Sequence, residues 1–211
     1  YFAEYLQKTK EDINTLHGLL MEGVYLTIPV GLVLIQPNLS TAIIMTVMVA
    51  AMTFASPLKL RYILLFLSIA VVTLVLLFYL FTSGLYDKIP ILQGYQVRRI
   101  LTFLHPDENS NDYAQQMYSI MAIGSGMFKG KGLFNHSIFS VKNGNFLVEE
   151  DNDFIFAVIG EELGFIGAII IIIIFLLIIM ECLIIAYKAK TLSGRLIAVG
   201  VMAWIGFQTY T

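Results

Sequence analysis

Residues 163–180 read "LGFIGAIIIIIIFLLIIM", with no charged side chain anywhere in the stretch. About 18 or more such residues make an α-helix long enough to cross the hydrocarbon core of a bilayer, where only a helix or a closed barrel satisfies its backbone polar groups. Tyr62 to Tyr86 is a second charge-free run, and Gly23 to Leu58 is long enough for two crossings. Charged residues make up 13% of the chain and hydrophobic ones 58%, against roughly 25% charged in an average soluble domain. The chain is therefore expected to be all-α, a polytopic transmembrane helical bundle.

The crossings divide at residues that cannot continue a helix. "QPNLST" (36–41) holds a proline without an amide hydrogen among turn-forming Gln, Asn and Ser, so spans are expected at about 19–35 and 39–55. A third runs from Tyr62 to about Ser83, a fourth covers about 153–187, and a fifth follows "KAKTLSGR". The fourth is long enough to be tilted, kinked or partly outside the membrane. Residues 1–211 are read as part of a single membrane domain, with 84–152 a large loop region, since loops of that length are usually functional or separately folded. Lys59 and Arg61 occupy one short loop and Lys188, Lys190 and Arg195 another, whereas "QPNLST" has no basic residue. The positive-inside rule puts the basic loops in the cytoplasm, and counting crossings then places 84–152 outside. The chain has no recognisable signal peptide and no initiator Met, and it stops inside an apolar stretch; it is expected to be a fragment of a longer protein.

Several function classes are disfavoured. The net charge is −2, and no basic patch with interleaved aromatics suggests nucleic acid. Cys182 is the single cysteine, so no intrachain disulfide forms, and it reads as a small core or lipid-facing residue. His17, His105 and His136 share no ligand spacing.

Chemistry-bearing residues concentrate in and after the long loop. Glu149, Glu150, Asp151 and Asp153 crowd the mouth of the fourth span. Such a cluster can raise one carboxylate's pKa and make it a base, can hold a divalent cation such as Mg²⁺, or can be a solvated helix mouth favoured by the dipole. Residue types alone leave all three open. Glu161 and Glu162 lie about 12 Å beyond Asp153 along a continuous helix. A charge there costs about 2.5–3.5 kcal/mol on insertion scales, so they are read as polar anchors, one lining an interior cavity. "AIGSGMFKGKGLF" (122–134) either cradles phosphate through its amides and Lys129 or Lys131, or permits a tight re-entrant turn. It lacks Walker spacing, which argues against a nucleotide site. Arg98 and Arg99 suit an anionic headgroup.

Together these motifs resemble the SEDS family (shape, elongation, division and sporulation), typified by RodA and FtsW. "QPNLSTA" is similar to the family's QPDLGTA, with Asn38 and Ser40 departing from Asp and Gly. "YQVRRILTFLHP", "YAQQMYSIMAIGSGMFKGKGL" and "GRLIAVGVMAWIGFQ" match further elements in the family's order. "VEEDNDFIFAVIGEELGFIG" looks like PEHTDFIFAVIGEELGFxG, with Val148, Asp151 and Asn152 at the proline, histidine and threonine positions. The resemblance implies a ten-helix membrane fold and a peptidoglycan glycosyltransferase that polymerises lipid II at the outer face of the bacterial cytoplasmic membrane. It implies a class B penicillin-binding protein as partner, and no nucleotide. The family's essential aspartate falls on Asp153, which is expected to be the general base or to hold an activating cation (Mg²⁺ or Mn²⁺). Arg99, Arg98 and Lys131 are expected to bind pyrophosphate, with Gln115 and Ser125 as further lipid II contacts. Glu161, Glu162, Gln36 and Thr41 are expected to be structural or cavity-lining polar residues. A lipid II flippase and a non-catalytic scaffold for a penicillin-binding protein are the alternatives.

Overall fold

The computed structural model describes residues 1–35, 39–83, 111–133 and 154–210. Among them every regular element is a helix: α1 Phe2–Lys8, α2 Leu16–Ile35, α3 Leu39–Ala55, α4 Leu60–Thr82, α5 Asn111–Ser125, α6 Ile155–Lys188 and α7 Leu192–Tyr210. A helix lies at each position where a span is expected. Residues 17–35, 60–80, 155–188 and 192–209 are long and apolar enough to cross a membrane, and α3 is a shorter apolar helix. Leu64, Leu67, Val72 and Phe78 on α4, and Ile170, Ile173 and Leu177 on α6, are exposed. Apolar faces on this scale would be an aggregation hazard in water and are ordinary against lipid.

The chain forms two compact units, 1–82 with 175–211 and 83–174. In the first, Leu6, Ile13, Met52, Leu58 and Leu196 form a core joining α1, the 56–60 turn, α3 and α7. Gly200 leaves room for the Met52 side chain where α3 meets α7. A Cβ there would meet Met52 Sδ at 2.9 Å, and small residues serve this purpose between membrane helices. Polar side chains finish the helix ends that the core draws together. Gln7 Oε1 accepts from the Ser193 amide at 2.8 Å, and Asn14 both donates to the Pro57 carbonyl at 3.1 Å and accepts from the Lys59 amide at 2.8 Å. Glu22 is buried on α2, and its Oε1 has no hydrogen-bond partner among the described residues.

In the second unit, α5 lies inside the region expected to be a long loop. Ala122 packs on Ala157, with Tyr118 and Phe154 against them. Two alanines at the contact allow the start of α6 to lie close beside α5.

Candidate functional site

α6 is interrupted at Gly164, whose φ of 67° and ψ of −166° are not helical. Only glycine adopts such an angle at little cost. In an unbroken helix the carbonyls of Glu161 and Glu162 would accept from the amides of Phe165 and Ile166, four residues on. The break orphans these groups in a helix that crosses lipid, where an unsatisfied backbone group costs several kcal/mol.

The glycine-rich loop that follows α5 supplies every missing partner. The Lys131 amide donates to the Glu161 carbonyl at 2.9 Å and the Gly132 amide to the Glu162 carbonyl at 3.0 Å. On the other side, the Phe165 amide donates to the Met127 carbonyl at 2.8 Å and the Ile166 amide to the Phe128 carbonyl at 3.3 Å. Residues 127–132 thus stand in for one turn of α6. Phe128 and Phe165 meet edge to face at 5.9 Å and cover the splice.

This contact explains the loop's composition. A Cβ on Gly126 would strike the carbonyl of Gly160, one on Gly130 that of Glu162, and one on Gly164 the amide of Gly130. Gly130 has φ 75° and Gly132 φ 97°. Met127 is the exception, a non-glycine residue at φ 48°, held there while its carbonyl receives Phe165.

Charge is placed on the same joint. Lys131 Nζ lies 2.6 Å from Glu161 Oε1, and Ser125 Oγ, which donates to the Ala122 carbonyl at 2.8 Å, is 3.5 Å from the same carboxylate oxygen. The Glu161 side chain is 2% exposed and that of Lys131 21%. The ammonium also sits at the carbonyl end of the segment 155–163, where the helix dipole favours a cation.

Of the residues expected at a site, the fold brings Ser125, Lys131 and Glu161 together. Glu162 joins them through its backbone carbonyl. Gln115 lies on α5 ten residues before Ser125, about 15 Å along the axis. Thr41 is exposed on α3, in the other unit. Asp153, Arg98, Arg99 and Gln36 lie outside the described residues. Among the described residues no group of three His, Cys, Asp or Glu side chains is placed to share a metal ion. The roles of Gly126, Gly130, Gly160 and Gly164 in the splice were not expected from sequence. Their signal was present as two glycine-bounded words, "GMFKGKG" and "GEELG", but nothing local says that one would complete the other.

The described structure defines a class: a polytopic helical membrane protein with a spanning helix broken by glycine and repaired by a loop. Across residues 1–211 the chain matches the FTSW_RODA_SPOVE family, described as cell cycle protein, and it belongs to that family. It is 31% identical to a probable peptidoglycan glycosyltransferase FtsW of Buchnera aphidicola subsp. Schizaphis graminum, with 99% of this chain and 56% of that protein covered. The FtsW of Escherichia coli O6:H1, named in the same words, is 31% identical over 99% of this chain and 48% of its own. A solved chain from a study of polymerization and crosslinking by a peptidoglycan synthase complex shares the fold. Its TM-score is 0.65 at 21% identity, covering 99% of this chain and 54% of that one. The chain spans about half the length of the curated relatives it matches.

Proposed function

We propose that the protein containing this chain is a peptidoglycan glycosyltransferase of the cytoplasmic membrane, polymerising lipid II on its outer face alongside a class B penicillin-binding protein. The observation that carries this reading is the family match over the whole chain, through the "DFIFAVIGEELGFIG" stretch that leads into the spliced helix. Asp153 precedes α6 by two residues in sequence. Its carboxylate takes the proton from the acceptor sugar hydroxyl, the oxygen attacks the anomeric carbon, and the carbon–oxygen bond to the lipid pyrophosphate breaks with its electron pair leaving on phosphate. Arg99 and Arg98 offer forked donors to that pyrophosphate. Lys131 contributes positive charge while tied to Glu161, and Ser125 and Gln115 lie on the adjoining helix as polar contacts for lipid II. The carboxylate oxygens of Asp153, Glu149, Glu150 and Asp151 are the donor type that a hard cation such as Mg²⁺ or Mn²⁺ takes, and bound there it would screen pyrophosphate charge.

The test is lipid II polymerisation by the purified full-length protein with its partner, wild type beside Asp153→Asn. Loss of polymer at unchanged thermal stability is the expected result. Normal polymerisation by Asp153→Asn would overturn the catalytic assignment. Translocation of lipid II across liposomes without polymer would favour a flippase, a reading that the broken membrane helix also suits.

A further inference from the structure

Lys59 and Arg61 stand at the start of α4, and Lys188, Lys190 and Arg195 surround the α6–α7 turn; all five are exposed. The core containing Ile13, Leu58 and Leu196, with Tyr62 and Leu192 packed on it, gathers these segments at one end of the first unit. Among the described residues, three acids lie on the segment 1–13 that this core includes. Glu4 is matched by Lys8 at 2.9 Å, and Glu11 and Asp12 are exposed on the turn after α1.

One of the basic groups is held in a fixed orientation. The Arg61 guanidinium lies over the Tyr62 ring, 4.7 Å from its centroid, and Nη2 donates to the Tyr62 hydroxyl at 3.1 Å. That hydroxyl donates to the Asn14 carbonyl at 3.0 Å, and the Asn14 side chain clasps Pro57 and Lys59. Setting membrane topology requires only positive charge in the loop. It supplies no reason to stack a guanidinium and anchor it through a tyrosine to a second segment. Stacked, forked arginine is the arrangement that receives phosphate oxygens.

Directly after Arg61 the surface turns apolar, with Leu64, Leu65 and Leu67 exposed. A phosphate at Arg61 therefore sits where the acyl chains of the same molecule can lie along α4. We propose that Arg61, with Lys59 and the basic residues of the α6–α7 turn, binds the phosphate headgroup of an anionic phospholipid of the surrounding bilayer. This site is independent of any assumption about the reaction.

Native mass spectrometry of the detergent-purified full-length protein, titrated with phosphatidylglycerol or phosphatidylcholine, tests it. Wild type is expected to retain phosphatidylglycerol preferentially, and Arg61→Gln to weaken that retention about fivefold. Arg61→Lys keeps the charge but loses the fork and the stack, so most of the same loss is expected. Tyr62→Phe, which removes only the anchoring hydroxyl, should give a smaller loss in the same direction. If Arg61→Gln does not fold, Lys190→Gln with Arg195→Gln on the other element must show the weakening instead. Equal retention of the two lipids by wild type overturns the proposal, as does wild-type retention by Arg61→Lys. Displacement of the lipid by millimolar inorganic phosphate would make this a free-anion site and would overturn it too.

Discussion

Lys131 is joined to Glu161 twice, by its ammonium at 2.6 Å from Oε1 and by its backbone amide at 2.9 Å from the carbonyl. One residue thus satisfies both the carboxylate and the helix carbonyl that the break at Gly164 exposes. Removing one partner of a buried ion pair leaves an uncompensated charge, whereas removing both can be close to neutral.

Lys131→Met is accordingly expected to destabilise the protein by about 3–5 kcal/mol, and Lys131→Met with Glu161→Leu to recover most of that. Thermal or denaturant unfolding of the full-length protein measures both. The same double variant separates the roles of Lys131. Restored stability without restored polymerisation assigns the ammonium to pyrophosphate, and restoration of both leaves it as a tie between loop and helix.

Glycine substitutions should divide sharply by position. Gly126→Ala, Gly130→Ala and Gly164→Ala each drive a methyl into backbone, and overpacking of this kind costs about 1–3 kcal/mol or more. Gly124→Ala on α5 meets nothing within 4 Å and should be neutral or slightly stabilising, because alanine is the better helix former. Equal unfolding temperatures for Gly124→Ala and Gly130→Ala would contradict the splice.

Met127 predicts the opposite sign. The residue is 77% exposed, while its backbone is left-handed. Met127→Gly gives up little packing and relieves a conformation that costs about 1–2 kcal/mol in a residue with a Cβ. A rise in unfolding temperature is expected, and a fall would mean that the side chain holds a contact of its own.

Glu22→Leu should also stabilise. The native carboxyl is buried with Oε1 lacking a hydrogen-bond partner among the described residues, and such a group costs about 1–3 kcal/mol. Unfolding measured beside a polymerisation assay checks this. Higher stability with intact activity is the expected result, and lower stability would show that Glu22 is paired in the full-length protein.

The spans and their ends follow from the sequence by itself, because bilayer thickness and backbone satisfaction act on local runs of residues. The run from Gly23 to Leu58 holds α2, ending at Ile35, and α3, starting at Leu39, as the turn-forming sequence between them leads one to expect, and "GRLIAVGVMAWIGFQ" lies within α7. The family was legible too, through several long motifs in order. The purpose of the glycines was not. A phosphate cradle and a tight turn require the same residue type, and the choice depends on what stands within a methyl's reach of Gly126 and Gly130. That neighbour is the carbonyl face of Gly160 to Leu163, some thirty residues away. Lys131 presents the same difficulty, since a lysine in a glycine loop suggests an anion and only tertiary structure reveals that Glu161 stands 2.6 Å from its ammonium. Local sequence sets which segments enter the membrane. Only the packing of α5 and its loop against a broken α6 decides which orphaned carbonyl each amide finds, because those bonds form between segments whose sequences carry no mark of one another.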